Sequence, residues 1–228
     1  LQLIAGWEVM LAAVYLLTGV FFRKTVAIEG AVAVLVVGRL ASLALILTAA
    51  LGYLATGSLS ISTIAEADST GLSWLIVIAV AVILGQLPTQ FGLSAAGEAP
   101  MPAAFAGLIL GFGLAAVVSA ERFQLQISGA PAGSALVILG LATALYASSV
   151  ALMQTDIRRL LAGLIGAKFA FLAVWIGLGM SFVAMLQLLG QAAAFACLFF
   201  CVGALIQAKQ CAPDLRQLGG LRGRYPWT

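Results

Sequence analysis

Long runs of apolar residues, separated by short polar connectors, occupy nearly the whole chain. A bilayer core about 30 Å thick takes roughly 20 apolar residues in a helix. Seven runs reach that length, and they cover residues 1–21, 31–55, 73–93, 102–120, 135–154, 160–180 and 182–208. Residues 209–228 are polar and predict a connector along the membrane surface. We therefore predict an all-α, polytopic membrane bundle of about seven transmembrane helices.

Composition favours membrane helices over other classes. Hydrophobic residues make up 63% of the chain and charged residues 8%, with a mean hydropathy of +1.15, whereas about half of a soluble domain is apolar. The runs lack the polar–apolar alternation of membrane β-barrel strands. The chain begins inside an apolar run, without Met and without a signal peptide pattern, so we expect it to be a segment of a longer protein.

Basic residues are distributed unequally between the two sides of this topology. Arg122, with Glu66, Asp68 and Glu121, falls on one side, and the other side holds Arg23, Lys24, Arg158, Arg159, Lys209, Arg216, Arg222 and Arg224. The positive-inside rule then places the Arg158/Arg159 side, and the 209–228 connector, in the cytoplasm of a bacterial-type inner membrane. The net charge of +3 lies in short loops, so no nucleic-acid partner is expected.

The third run is interrupted by the sequence Gln86-Leu87-Pro88-Thr89-Gln90. Proline removes a backbone donor and clashes with the preceding turn, so it breaks or kinks a helix. Within a membrane, broken backbone is tolerated where it faces protein or a wet cavity. Broken helices near the midplane often bind ions in transporters, but a structural kink explains the proline equally simply. We predict a broken helix near Pro88.

Three ionisable residues fall inside the predicted spans, namely Glu8, Arg39 and Lys168. Each costs about 2.5–3.5 kcal/mol at bilayer depth, so each is a functional candidate. Glu8 and Arg39 lie on adjacent helices and could form a neutral structural pair. Lys168 lies about eight residues into its helix, where it either extends outward to the interface or has a buried role.

Two pairs of glutamines have helical spacing, Gln86 with Gln90 and Gln187 with Gln191. Residues four apart share a helix face. Their amides can hydrogen-bond across helices or hold a file of water, but they do not change charge near neutral pH. Hydrogen bonding between helices is the commoner role for such residues.

Nothing in the sequence predicts catalytic, metal or cofactor chemistry. The chain has no histidine, and its cysteines, Cys197, Cys201 and Cys211, are expected to be small packing residues. It has neither a phosphate-binding glycine loop nor a Ser-His-Asp set. Because an Fe–S cluster or haem also needs ligands that this chain lacks, we expect no metal and no cofactor.

Several stretches carry a family resemblance in chain order. They are Gly6-Trp7-Glu8 with Tyr15-Leu16-Leu17, Thr56-Gly57-Ser58-Leu59, Gln86-Leu87-Pro88 with Glu98-Ala99-Pro100-Met101-Pro102, Gln154-Thr155-Asp156-Ile157-Arg158-Arg159-Leu160-Leu161-Ala162, and Asp214-Leu215-Arg216-Gln217-Leu218-Gly219-Gly220-Leu221 with Pro226. Together they resemble the antiporter-like subunits of respiratory complex I and Mrp antiporters, most of all the largest such subunit of complex I. Related subunits occur in membrane hydrogenases and inorganic-carbon uptake complexes. The resemblance is partial and divergent.

The resemblance implies a subunit of fourteen or more helices with two inverted five-helix repeats, of which this chain would cover about seven central helices. Members are thought to move protons along a buried row of lysines, histidines and a glutamate. Glu8 matches the glutamate, whereas family lysine or histidine positions fall at Ile83, Gln90, Leu108, Gln187, Gln191 and Phe195. Lys168 stands where the family often has glutamine, so it is a candidate relocated basic site.

Two hypotheses follow from this comparison. The first is a largely structural subunit of a multi-subunit, proton-translocating complex, in which the replaced lysines and histidines leave a degenerate proton channel. The alternative is a proton- or cation-conducting subunit of a complex I-like, Mrp-like or inorganic-carbon uptake complex, with a path through Glu8, Arg39, Lys168 and water held by glutamines. In both, the chain is at most a non-catalytic membrane subunit of an NADH:quinone oxidoreductase-like complex. Its partners are other membrane subunits and lipid.

Overall fold

The protein is described by a computed structural model that covers residues 1–21, 23–67, 69–128, 130–209 and 214–217. Nearly all of these residues are helical, and no strand occurs among them. The only extended pairing in this part of the chain is an isolated antiparallel bridge between Asp156 and Asp214. The predicted all-α helix bundle is therefore confirmed.

Eleven α-helices follow one another through the described residues. They are α1 Gln2–Thr18, α2 Thr25–Thr56, α3 Ile61–Glu66, α4 Thr70–Ile83, α5 Gln90–Ala96, α6 Met101–Phe105, α7 Leu114–Arg122, α8 Gln124–Ile127, α9 Pro131–Leu152, α10 Ile157–Gly177 and α11 Ser181–Lys209. A π-helical segment, Ala106–Gly113, joins α6 to α7, so that Met101–Arg122 forms one continuous helix. Short 3-10 turns lie at Gly19–Phe21 and Leu215–Gln217.

Five helices of the described chain are long and apolar enough to cross a membrane. They are Thr25–Thr56, Met101–Arg122, Pro131–Leu152, Ile157–Gly177 and Ser181–Gln207. α1 and α4 are apolar but shorter, and α4 is followed by the break and then by α5. The seven spans drawn from hydropathy stay a prediction, because length and composition alone do not establish a crossing.

Two helices begin several residues before their hydropathy boundaries. α2 begins at Thr25 rather than at residue 31, and α9 begins at Pro131 rather than at 135. In both helices the additional first turns contain glycine and polar residues, including Glu29 in α2. Hydropathy marks the apolar part of a helix, whereas the backbone continues helically into the more polar interface.

The connectors gather at two ends of the bundle. At one end the Arg159 Nε atom donates to Glu98 Oε1 over 3.3 Å, and the Leu215 amide donates to the Thr155 carbonyl over 2.9 Å. At the other end the side-chain amide nitrogen of Gln124 donates to the Gly179 carbonyl over 2.5 Å. These contacts place connectors that are distant in sequence side by side.

The backbones of α9 and α10 approach each other closely. A Cβ atom built on Gly140 would lie 2.8 Å from the Ala170 carbonyl oxygen, and one on Gly177 would lie 2.6 Å from the Gly133 carbonyl oxygen. Real Cβ atoms do not come so close to another backbone. Glycine at these positions therefore permits two membrane helices to pack backbone against backbone, which is the role expected of small residues in such bundles.

A methyl group at Gly140 tests this packing. We expect Gly140→Ala to lower the free energy of unfolding in detergent micelles by about 1–3 kcal/mol, because α9 and α10 must separate to accept the Cβ. Gly190→Ala on α11 is the matched control, since no other helix or side chain of the described residues comes within 4 Å of its Cβ position. An unchanged stability for Gly140→Ala would contradict the close approach.

Candidate functional site

The predicted broken helix is present at Pro88. α4 ends at Ile83 and α5 begins at Gln90, and the peptide bond between Leu87 and Pro88 is cis. Gly85 has a φ of 60°, in the left-handed region that glycine adopts without strain. A Cβ at this position would also lie 3.0 Å from the Leu93 Cβ atom. Glycine is therefore required where the chain leaves α4.

The backbone groups freed by the break bind to protein. The Gln86 amide donates to the Ala81 carbonyl over 2.9 Å, and the Thr89 amide donates to the Gln86 carbonyl over 2.7 Å. The Leu87 amide donates to the Thr143 hydroxyl oxygen on α9 over 3.1 Å. Thr143 is a functional residue that sequence analysis missed, because a single threonine in an apolar helix gives no sign of a partner 56 positions away.

Gln86 and Gln90 lie deep in the bundle beside the break. Their relative exposures are 1% and 5%, and both carbonyl oxygens lack a hydrogen-bond partner among the described residues. The side-chain amide nitrogen of Gln86, Nε2, donates to the Leu84 carbonyl over 3.3 Å, within the break itself. The Gln90 amide nitrogen packs 3.1 Å from the Cβ position of Gly166 on α10. The expected hydrogen bonds between helices are not made by these carbonyl oxygens.

Gln187 and Gln191 repeat this arrangement on α11. Both side chains are partly buried. Their carbonyl oxygens are shielded and have no partner in the described part of the chain. Here too, the predicted hydrogen bonding between helices is not made by the carbonyl oxygens. Each of the four glutamines thus has an unused acceptor in the interior.

Glu8 and Arg39 form the predicted pair between α1 and α2. Arg39 Nη1 donates to Glu8 Oε2 over 2.5 Å, with 29% of the Glu8 side chain and 59% of the Arg39 side chain exposed. The neighbouring Trp7 faces inward, and its indole nitrogen donates to the Ser42 hydroxyl oxygen over 3.0 Å. The ion pair therefore lies at the surface of the described bundle, with Arg39 more exposed than Glu8.

Lys168 also lies on the outside of the bundle. It is exposed on α10 between exposed Leu164 and Phe171, and no ion pair or hydrogen bond to another described residue involves it. Of the two alternatives considered for this lysine, the structure gives the outward position. It does not bring Lys168 together with Glu8 and Arg39.

Three positions at which the sequence resemblance led us to expect family lysines or a histidine are interior and apolar. Ile83 ends α4 and is 1% exposed, Leu108 in the π-helical segment is 0% exposed, and Phe195 on α11 is 5% exposed. None of the buried polar residues in the described ranges is charged. An ion placed at any of these positions would lose its hydration, and no charged side chain is buried among the described residues to compensate for that loss.

A cleft of about 510 Å³ lies between α2, α5, α9 and α10. Pro88, Gln90 and Tyr146 line its inner part, and Glu29, Glu98 and Arg159 line the end near the helix termini. It gives the surface of the bundle access to the residues that flank the break, although the Gln90 carbonyl oxygen itself is shielded.

Gln126 is a second residue that sequence analysis missed. Its amide nitrogen donates to the carbonyls of Ile64 and Ala65 over 3.2 and 3.3 Å and also to that of Ala67. Its carbonyl oxygen accepts from the Ser73 hydroxyl over 3.0 Å. One buried amide thereby fixes the connector between α2 and α4, and no motif in the short polar run around it indicates this role.

Metal-ligating groups are sparse. Among the described residues, no cluster of three or more His, Cys, Asp or Glu side chains could hold a metal ion. Cys197 is exposed and Cys201 partly exposed on α11, and both are free thiols. Cys211 lies outside the described residues.

Comparison with known proteins identifies the family. The sequence matches the family described as "NADH:quinone oxidoreductase/Mrp antiporter, TM" over residues 1–228. The chain belongs to this family. The predicted resemblance to antiporter-like subunits of complex I and Mrp antiporters is confirmed, including the similarity to the largest complex I subunit.

Individual relatives of this antiporter-family chain are longer proteins. NADH-quinone oxidoreductase subunit L of Rhodobacter capsulatus is 29% identical, over 100% of this chain and 34% of the relative. Subunit L of Mycobacterium tuberculosis is 30% identical, over 99% of this chain and 37% of the relative. NADH-ubiquinone oxidoreductase chain 5 of Geomys personatus is 26% identical, over 100% of this chain and 38% of the relative. The chain thus spans about a third of the length of these relatives.

A solved structure shares the fold. The Mrp complex from Dietzia sp. contains a chain that aligns with a TM-score of 0.83 and 24% identity, covering 90% of this chain and 24% of that one. At this identity the likeness establishes the arrangement of helices and not the chemistry of the site. The antiporter-family fold and an integral membrane location are secure on these grounds.

Removing the Thr143 hydroxyl tests how the break is held. We expect Thr143→Val to lower the free energy of unfolding by about 1–3 kcal/mol, because the Leu87 amide loses its acceptor without a change in side-chain volume. Thr143→Ser keeps the hydroxyl and is the matched control. Denaturant titrations of both variants in the same detergent measure the difference, and equal stabilities would contradict the proposed hydrogen bond.

Proposed function

We propose that the chain is the central part of an antiporter-like membrane subunit in a multi-subunit, energy-converting complex, and that its own role is largely structural. Relatives named as subunits of NADH-quinone oxidoreductase and a structural match within an Mrp complex support the first part. The observation that carries the second is the burial of apolar Ile83, Leu108 and Phe195, which the sequence resemblance leads us to expect at positions of family lysines or a histidine.

A proton relay needs a group or a water molecule that accepts the proton at each step. The ionisable candidates Glu8, Arg39 and Lys168 lie on the outer surface, and the interior between them holds no charged side chain among the described residues. The buried glutamines do not titrate near neutral pH. In this proposal buried apolar side chains separate the ionisable groups, and moving a proton through such packing raises its free energy by many kcal/mol.

A structural subunit needs surfaces that other subunits or lipids cover. In α11, 17% of the residues in the most apolar stretch are buried, against 67% in α10. Large apolar side chains are exposed along it, among them Phe182, Leu186 and Leu189. This exposed face supports contacts with other membrane subunits or lipid as the role of the chain.

The orientation follows from the charges at the two ends of the bundle. Arg23, Arg159 and Arg216 are exposed at one end, and Arg122 with Glu121 is exposed at the other. The positive-inside rule favours the Arg159 end in the cytoplasm. We propose this orientation in a bacterial-type inner membrane.

Conduction of protons or cations is the second candidate, and one observation favours it. The carbonyl oxygens of Gln86, Gln90, Gln187 and Gln191 are shielded and lack partners in the described chain. A buried acceptor without a donor costs about 1–3 kcal/mol, which a bound water would relieve. Water at all four amides would form parts of a hydrated path past the break.

Proton flux distinguishes the two functions. In vesicles holding the assembled complex, we expect the ratio of protons moved to turnovers to be unchanged in Glu8→Gln, Lys168→Ala and Gln90→Leu, because none of these groups carries a proton in a structural subunit. Assembly of each variant is checked by size-exclusion chromatography, because Glu8→Gln leaves Arg39 without its carboxylate partner.

Glu121→Gln is the matched control for Glu8→Gln, since Glu121 is exposed and belongs to no candidate path. A lower proton ratio in Glu8→Gln or Gln90→Leu, with normal assembly and an unaffected Glu121→Gln, would overturn the structural role. That result would establish the conducting alternative.

A further inference from the structure

The cleft between α2, α5, α9 and α10 is polar at one end. Glu29 lies in the second turn of α2, Glu98 follows α5, Gln154 follows α9 and Arg159 lies in the first turn of α10. All four residues are close to helix termini. In a membrane-spanning bundle, helix termini lie at the level of the lipid headgroups.

The rest of the cleft is apolar and extends inward from that end. Ala33, Phe91, Tyr146 and Val150 form much of the wall. Tyr146 lies six residues before the end of α9, which corresponds to a depth of about 9 Å. Phe91 is 52% exposed and Tyr146 is 50% exposed, so the wall is open on its lipid side. The shape is that of a headgroup site continued by an acyl-chain groove.

The charges at the polar end are incompletely paired. The Arg159 Nε atom contacts Glu98 over 3.3 Å, while its two terminal nitrogens have no partner among the described residues. Glu29 is exposed and forms no ion pair within that part of the chain. The charged lining of this end of the cleft, two carboxylates and one guanidinium, sums to −1. It therefore offers donors for a phosphate and a carboxylate for a cation, with a balance that disfavours an anionic headgroup.

We propose that this cleft binds a phospholipid with an ammonium headgroup, such as phosphatidylethanolamine. The Arg159 terminal nitrogens donate to the phosphate, the Glu29 carboxylate accepts from the ammonium, and one acyl chain lies along Phe91 and Tyr146. Lipid is expected from the sequence among the partners of the chain, and this cleft is the proposed binding site for one such lipid. It does not depend on whether the subunit conducts protons.

The size of the cleft favours lipid over a protein helix. A helix with side chains is about 10 Å across, so a stretch about 12 Å long occupies roughly 900 Å³. The cleft holds about 510 Å³, which is within the range of about 300–1,000 Å³ typical of small-molecule sites. An extended acyl chain is far thinner than a helix and can fill this volume.

Photolabelling of the assembled complex tests the proposal. The complex is placed in nanodiscs of equal parts phosphatidylethanolamine and phosphatidylglycerol, with a trace of one lipid carrying a diazirine in its acyl chain. Labelled residues are mapped by peptide mass spectrometry. We expect the ethanolamine probe to label the segments around Phe91 and Tyr146, and the glycerol probe to label them about fivefold less, as one unpaired charge predicts.

Variants separate headgroup binding from general exposure to lipid. Arg159→Gln should reduce labelling of both segments by the ethanolamine probe, and Glu29→Gln should remove the preference between the two probes. Arg23→Gln is the matched control, because Arg23 is exposed at the same end but does not line the cleft. Assembly of each variant is checked by size-exclusion chromatography, and Arg159→Lys, which keeps the charge, should retain part of the labelling.

Three results would overturn the proposal. They are equal labelling by the two probes in the unaltered complex, labelling around Phe91 and Tyr146 no stronger than at exposed Val9 on α1, and Arg159→Gln behaving like Arg23→Gln. Labelling by neither probe would indicate that another subunit fills the cleft, which also contradicts lipid binding. None of these results bears on proton flux, so the proposed function is tested separately.

Discussion

A backbone amide or carbonyl in an apolar medium must find its hydrogen-bond partner within the protein, because no water replaces a missing one. Regular helices meet this requirement along most of the chain. The break between α4 and α5 is where it is hardest to meet. There the left-handed Gly85 redirects the chain, the Gln86 amide binds back to Ala81, and the Leu87 amide reaches the Thr143 hydroxyl of α9. The break is therefore an ordered element that depends on a neighbouring helix.

This dependence extends to the packing of α9 and α10. Thr143 can serve the break only if α9 stays within hydrogen-bond distance, and the backbone contact of Gly140 with α10 fixes the position of α9. On the facing side, Gly166 of α10 leaves room for the amide of Gln90. The positions of the break, α9 and α10 thus depend on one another. Gly140 and Gly166 contribute to this packing because a larger side chain at either position would push the neighbouring segments apart.

Electrostatics divides the bundle into a charged periphery and a neutral interior. The ion pairs Glu8–Arg39 and Glu98–Arg159 are exposed to different degrees at the surface, while the buried polar residues of the described chain are hydroxyls and amides. Burying an isolated charge in apolar packing is costly, and no charged side chain is buried among the described residues. This division supports both proposals, because the described interior holds no charged side chain and the charged rim can bind a zwitterionic headgroup.

Much of the fold could be predicted from the sequence, because the features concerned are local. Apolar run lengths predicted the helices, Pro88 predicted the break, and the short motifs together predicted the family. The residues that hold the break could not be found in this way. Thr143 and Gln126 act through partners more than 50 positions away, and the outward position of Lys168 depends on which helices cover α10. Local patterning decides where helices form, whereas contacts between distant segments decide which polar side chains are satisfied, exposed or left with an unused acceptor.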